Sequence, residues 1–528
     1  MQDDILSAEW DVIVIGAGLG GGICGRALAE AGMRVLFLDR GPAGLRRAEN
    51  GLGCPHRERF ARSLYGLWPE PLRLDLDGRA LEEDFVQGIG MGGTSVHYAA
   101  SLERPERHDL ESVDGLPHPT GGWPVGYDGF RSWFERAQAL MELSGTPDPL
   151  RPDPVGPLAA PPPLSPGEAA MVRAMEAAGL HPYRTHLAIR GVPGCEECIG
   201  RKCPRDCKRD GRSAGVEPAL ATGRAAFLGG VTVRALRCRD GRVTHLELER
   251  GGERIRLGAP SIVLAAGGLG SAQLLLASAD EAAPQGCANG SGLVGRGLMF
   301  HLSERVAIWP PQRSEAMGPW KTLSLRDFYV RDGQRLGLFQ SIGLPADYGN
   351  VVHALNQIYD RSPLRRLRRG RGLLRLPAYV ASRILGQARI FVGIIEDLPV
   401  DANRVTHDPQ RPDAFHVTYR TTPELTRRRA LMRRELGRGL RGLRHMMLSQ
   451  GVELNLAHPC GTLRFSDDPR RGVLDRDCRA HGLANLHVAD SSFMPTSTGV
   501  NPSLTIVANA LRVADALLRD RRAGAAAA

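Results

Sequence analysis

The chain has 528 residues, 42% of them hydrophobic and 24% charged, which suits two or three folded units and excludes a collagenous, fibrous or globally disordered protein. The formal net charge is +10, but the base is nearly all Arg, spread along the chain with few aromatic residues beside it. No zinc-finger, RNA-recognition or homeodomain pattern occurs, so a nucleic-acid partner is not expected.

The opening MQDDILSAEW carries acids where a secretory leader carries base, and no apolar run reaches the ~18 residues that span a bilayer; the expectation is a cytoplasmic protein. Residues 11–15 (DVIVI) predict a short buried strand. A glycine-rich turn follows, then a helix to about Ala31, then a second apolar run, VLFLD, ending at Asp39. That is a βαβ unit. Gly16, Gly18 and Gly21 make the pattern GxGxxG between strand and helix. The first glycine permits the tight turn, the second lets backbone N–H groups approach a pyrophosphate, and the third lets helix pack closely on sheet. Asp39 stands where it can accept from a ribose hydroxyl. The pattern predicts a dinucleotide site without saying which dinucleotide.

Further along, residues 145–166 are too rich in Pro for a helix or a central strand and predict a surface connection. Cys195, Cys198, Cys203 and Cys207 follow the spacing C-x2-C-x4-C-x3-C. In a reduced compartment such a cluster reads as a metal site before a disulfide set; an iron–sulfur cluster, zinc and free or disulfide-prone thiols all stay open. Residues 231–257 alternate apolar and charged around Asp240-Gly241, which predicts a β-hairpin. Residues 261–277 predict a strand running into a helix. Residues 364–389 (LRRLRRGRGLLRLPAYVASRILGQAR) interleave Arg and apolar residues around Pro377. A helix with a solvated Arg face and a surface that rests on a membrane or an acidic partner both fit that pattern. Asn501-Pro502-Ser503 reads as a helix start with Asn as cap, placing Leu504, Ala508, Leu511 and Leu518 toward the core.

Three more segments carry a resemblance. Gly88–Ser101 (GIGMGGTSVHYAAS), Ile262–Leu276 (IVLAAGGLGSAQLLL) and the block from His458 (HPCGTLRF) through LHVADSSFMPTSTGVNPSLTIVANALRVADAL are similar to signature segments of the glucose–methanol–choline (GMC) oxidoreductases. With the N-terminal glycines they span residues 11–518, and about 305–455 matches less distinctly. The resemblance implies an α/β fold: a Rossmann-like FAD-binding domain from 1–110, 185–304 and 460–528, and a substrate-binding domain of antiparallel sheet plus helices from 111–184 and 305–459. It implies FAD held by Gly16, Gly18, Gly21, Asp39, Gly92, Gly93, Thr94, His97, Val233, Asp490 and Pro502. At the position of His97, some members join a His covalently to the flavin 8α-methyl and others bind FAD noncovalently.

The chemistry implied is oxidation of a small-molecule alcohol or sugar by hydride transfer to flavin N5. His458 resembles the family's base, and Asn501 its second active-site residue, a hydrogen-bond donor to the developing alkoxide. A sugar or sugar derivative is expected, since GGTSVHYAAS looks most like the sugar dehydrogenases; the electron acceptor is O2, a quinone or a protein. Some of those dehydrogenases carry an iron–sulfur cluster on a Cys-rich loop in this region, at a spacing unlike the one here. Rival readings are a flavin monooxygenase or reductase that consumes NAD(P)H, and a non-catalytic electron-transfer flavoprotein that would tolerate loss of His458.

Overall fold

The computed structural model describes residues 2–45, 59–151, 153, 155–195, 197–311, 321–362, 367 and 370–527. Cys54 and part of the Arg-rich segment (364–366, 368 and 369) lie outside the described residues.

DVIVI and VLFLD are apolar on both faces because both faces of their sheet are covered. Five parallel strands run in the order Leu486–Val488, Ser261–Leu264, Val12–Ile15, Val35–Asp39 and Ala225–Gly229. Helix Leu19–Glu30 packs against the long C-terminal helix Ser503–Ala527. Leu504, Ala508 and Leu511 of the latter are buried and Leu518 is half-buried. The predicted hairpin is present, with a third strand added: Thr232–Arg239, Arg242–Arg250 and Glu253–Leu257. Asp240 and Gly241 both have positive φ (50° and 70°), as a two-residue turn matched to strand twist requires.

The second core forms on an antiparallel sheet ordered His445–Met447, Met299–Ile308, Arg389–Ile395, Phe339–Pro345, Leu323–Leu325 and Tyr183–Arg184, with Leu454–Cys460 also pairing to Met299–Ile308. Phe339, Phe391 and Met432 lie at its centre. Strand Met299–Ile308 links the two cores: Met299 belongs to the first and Leu302 to the second. Residues 111–184 are divided between them as well. Helix Tyr127–Leu140 buries Phe130 and Phe134 in the first core, against the C-terminal helix, whereas helix Pro166–Ala177 places Met171 and Met175 in the second. Among the described residues no helix is long and apolar enough to cross a membrane.

Candidate active site

The turn after the first strand is held by steric necessity. Gly16 has φ +99°, and a Cβ there would lie 2.3 Å from the Ala265 carbonyl oxygen. A Cβ on Gly21 would lie 2.0 Å from the Gly16 oxygen, so the helix sits where only glycine lets it. Gly18 differs: nothing lies within 4 Å of its Cβ position, so open space faces the N-terminus of helix Leu19–Glu30. Free N–H groups and the helix dipole make that space suited to a pyrophosphate. Gly16→Ala is expected to cost at least about 1–2 kcal/mol from its left-handed φ alone, with the clash in addition. A variant melting with the parent would remove this account of the turn.

A second glycine loop closes over the first. Gly92 (φ 93°) donates its N–H to the Ala17 carbonyl at 2.8 Å, and a Cβ on Gly93 would meet Gly18 Cα at 2.9 Å. Thr94 Oγ1 accepts from the Gly88 N–H at 3.0 Å. The Asp39 carboxylate joins both loops, accepting from the N–H groups of Ala17 (3.0 Å), Gly41 (2.9 Å) and Gly90 (2.7 Å). Burial pushes its pKa up, against those three hydrogen bonds. Two carboxylate oxygens accept about four hydrogen bonds, so one place remains for a ribose hydroxyl.

Two adjoining cavities flank this junction, both bordered by Gln87, Gly88 and Ala266. One, of about 970 Å³, is lined by Asp39, Val233, Arg234 and Trp68, with the Arg40 guanidinium 4.0 Å above the Trp68 ring. The other, of about 500 Å³, is lined by Gly18, His97, His458, Asp490, Asn501 and Pro502. A two-chambered cleft with a glycine cradle at its waist fits a dinucleotide such as FAD.

His97 is 3% exposed and stacks on Tyr65 at 5.2 Å. Neither ring nitrogen has a well-formed hydrogen bond. Burial, with Lys202 and Lys208 nearby, pulls its pKa to about 3 despite backbone at Gly66 and Gly200 that favours the charged ring; it is neutral at pH 7. Asp490 is saturated: it accepts from Gly267 N–H (2.9 Å), Ser271 Oγ (2.5 Å), and Ser492 N–H and Oγ (2.9 and 2.5 Å). It joins the end of strand Leu486–Val488 to helix Gly267–Ala277.

His458 and Asn501 line the same cavity, each held from behind. His301 Nε2 lies 3.0 Å from the Thr498 carbonyl, and His301 Nδ1 lies 3.0 Å from His458 Nδ1. A carbonyl only accepts, so His301 carries its proton on Nε2, and burial keeps the second proton off by pulling its pKa to about 4. His301 Nδ1 is then an acceptor, so His458 presents Nδ1–H to it and keeps a lone pair on Nε2, toward the cavity. The Asn455 Nδ2 lies 3.2 Å from His458 Nδ1 while its Oδ1 accepts from the Ala457 N–H at 3.2 Å; turning the amide to offer its oxygen to the His458 proton gives up that second bond. Asn501 Oδ1 accepts from Gln340 Nε2 (3.1 Å) rather than from a helix N–H, and Gln340 Oε1 accepts from Ser101 Oγ (3.0 Å). The Asn501 NH2 group is thereby left for the cavity. Lys321, 5% exposed, lines the cavity too; burial pulls its pKa to about 8.

Cys195, Cys198, Cys203 and Cys207 converge on one patch, with Cys203 and Cys207 sulfurs 3.6 Å apart. Among the described residues, however, no three or more Cys, His, Asp or Glu are arranged to hold a metal ion. Neither an iron–sulfur cluster nor zinc is shown at these residues; their thiols form no disulfide, and Cys203 and Cys207 lie within hydrogen-bond reach of each other. The loop still touches the cavity: Ile199 and Gly200 line it, and Lys208 Nζ donates to the carbonyls of Val96, Cys198 and Arg201 (2.9, 2.8 and 2.8 Å).

Comparison with known proteins agrees with this geometry. The GMC oxidoreductase family matches over residues 14–303 and, in its C-terminal part, over 399–510. Paromamine 6'-oxidase of Streptomyces fradiae is 30% identical over 97% of this chain and 92% of its own length. The fructose dehydrogenase large subunit of Gluconobacter japonicus is 27% identical over 99% and 100%. Pyridoxine 4-oxidase of Mesorbium loti shares the fold, with a TM-score of 0.63 and 21% identity over 96% of this chain and 99% of its own.

Proposed function

The chain belongs to the GMC oxidoreductase family, flavin-dependent enzymes acting on CH–OH groups, and from that premise we propose that it oxidises a sugar or sugar derivative with His458 as base. The observation that supports this most is the relay Thr498–His301–His458, which leaves one unprotonated imidazole nitrogen facing the cavity. FAD, when bound, supplies the hydride acceptor at N5. The protein's own work is then to take the hydroxyl proton and to orient the alcohol. His458 Nε2 takes the proton. The Asn501 NH2 donates to the same oxygen as negative charge grows on it. The start of helix Ser503–Ala527, where Pro502 has no N–H to offer, adds its dipole at the cavity wall.

Two relatives named for paromamine and fructose support a sugar-like substrate. The test is anaerobic mixing of the FAD-loaded protein with a panel of sugars, amino sugars and simple alcohols. One of them is expected to bleach the flavin band. Bleaching by NADPH alone would replace this reading with a reductase or monooxygenase.

Gln340 is a positioning residue. Gln340→Leu is expected to lower kcat about 10–100-fold through a misaimed Asn501, with KM and flavin content changed much less. A loss confined to flavin content would mean that Gln340 serves only the fold.

A further inference from the structure

Eight of the fifteen large apolar side chains that stand exposed among the described residues fall between Tyr348 and Ile384. The exposed apolar surface is therefore concentrated in one place, which marks an interaction site rather than ordinary scatter. It lies on helices Tyr348–Arg361 and Arg375–Leu385, which pack on each other. The second helix is patterned inside out. Its inner side is anchored by Ala378 and Leu385, the latter packed with Ala307, Ala388 and Ile390. Its outer side carries Leu376, Tyr379, Val380 and Ile384. Leu376 is 71% exposed, and Leu373, just ahead of the helix, 77%. Helical spacing sets 376, 380 and 384 in one row. A helix shaped for water alone would turn that row inward.

Charge identifies the occupant. From residue 361 to 395 the sequence holds nine Arg and no Asp or Glu, and of these Arg389 is buried beside Glu168 and takes no part in the face. Arg375 and Arg383 are exposed beside the apolar row, and the Arg383 guanidinium lies 5.2 Å over the Tyr379 ring, a basic head carried above an apolar stem. Among the described residues of the two helices the acids are Asp360, paired to Arg371 at 3.1 Å, and, at the cap of the first, Asp347. We infer that this face docks on a bilayer surface bearing anionic lipids, with the apolar row in the headgroup–acyl boundary and Arg375 and Arg383 at the phosphates. A lipid surface answers base with acid at every register and accepts apolar side chains without a shaped groove, and that combination is what the face offers.

The location also gives docking a use. Strand Arg389–Ile395, which follows the helix, sends Val392 and Ile394 to the substrate cavity, while Ile342 both lines that cavity and packs beneath the helices. A docked enzyme holds one wall of its cavity close to the membrane.

The inference does not depend on the catalytic reading, and its test needs no turnover. The full-length FAD-loaded protein is sedimented with vesicles of phosphatidylcholine alone or with about a third phosphatidylglycerol. Binding is expected on the anionic vesicles, falling steeply with salt, and weak on the neutral ones. L376S/Y379S/I384S is expected to weaken binding at least about tenfold. These side chains are exposed, so melting temperature and flavin content should hold. R375E/R383E should reduce binding through charge alone. Failure to bind either vesicle, or binding that both variants leave intact, overturns the inference. So does a dimer in solution that these variants dissociate without any vesicle binding, which would assign the face to a second copy.

Discussion

Replacing His458 with Ala is expected to lower kcat/KM by about 10²–10⁴-fold, the range a general base contributes, with flavin content and melting temperature near those of the parent. The reason lies in which nitrogen is free. Thr498 and His301 determine where the His458 proton sits, so the cavity receives a lone pair and not an N–H. Burial, with His301 and the Lys321 ammonium nearby, holds the His458 pKa well below its ordinary value. A base with a depressed pKa stays deprotonated as pH falls through 6, so the acid limb of kcat/KM should lie well under the ordinary imidazole value of about 6.5. Lys321→Met removes a cation that disfavours imidazolium. It should therefore raise the His458 pKa and move the acid limb to higher pH, while a purely structural Lys321 would leave the limb in place. If His458→Ala keeps more than about a tenth of the parent's activity, the base is another group and the relay is structural.

How far these features can be read from sequence depends on how local each one is. The βαβ unit was legible because period, glycine spacing and the terminal Asp39 lie within 30 residues and each has a separate steric or electrostatic cause. The His458 and Asn501 motif was legible only through resemblance. Their supports were not. His301 meets His458 across 157 residues and Gln340 meets Asn501 across 161, through strand registers that no local pattern encodes. Lys321 did leave a trace that composition could have shown. Of 68 basic residues only three are Lys, at 202, 208 and 321, and all three are buried, Lys321 in the cavity wall and Lys202 and Lys208 near His97. In a chain that uses Arg for its solvent-facing charge, each retained Lys marks a place where a compact ammonium is needed. The cysteine spacing shows the reverse case. It foretold that the thiols meet on one patch, because spacing sets proximity, whereas what they bind depends on the direction each sulfur takes from the loop backbone.

Acid precipitation of the FAD-loaded protein is expected to leave the flavin in the pellet, and His97→Ala is expected to release all of it to the supernatant. His97 is buried against the FAD-sized cleft, with no well-formed hydrogen bond to either ring nitrogen. The backbone at Gly66 and Gly200 is the polypeptide's own partner for the ring, and a buried group left incompletely hydrogen-bonded costs on the order of 1–3 kcal/mol for each lost partner. Neutrality matters as well, because only an unprotonated nitrogen is a nucleophile; with a pKa near 3 the ring is in that form throughout the physiological range. The stack on Tyr65 at 5.2 Å limits rotation and holds the ring edge at the cavity wall. A noncovalent FAD would satisfy the ring by hydrogen bonding instead. In that case the parent protein releases flavin to the supernatant, and His97→Ala weakens FAD binding by only about 1–3 kcal/mol, roughly 5- to 150-fold in Kd. The two outcomes separate cleanly, because a covalent bond survives denaturation and a hydrogen bond does not.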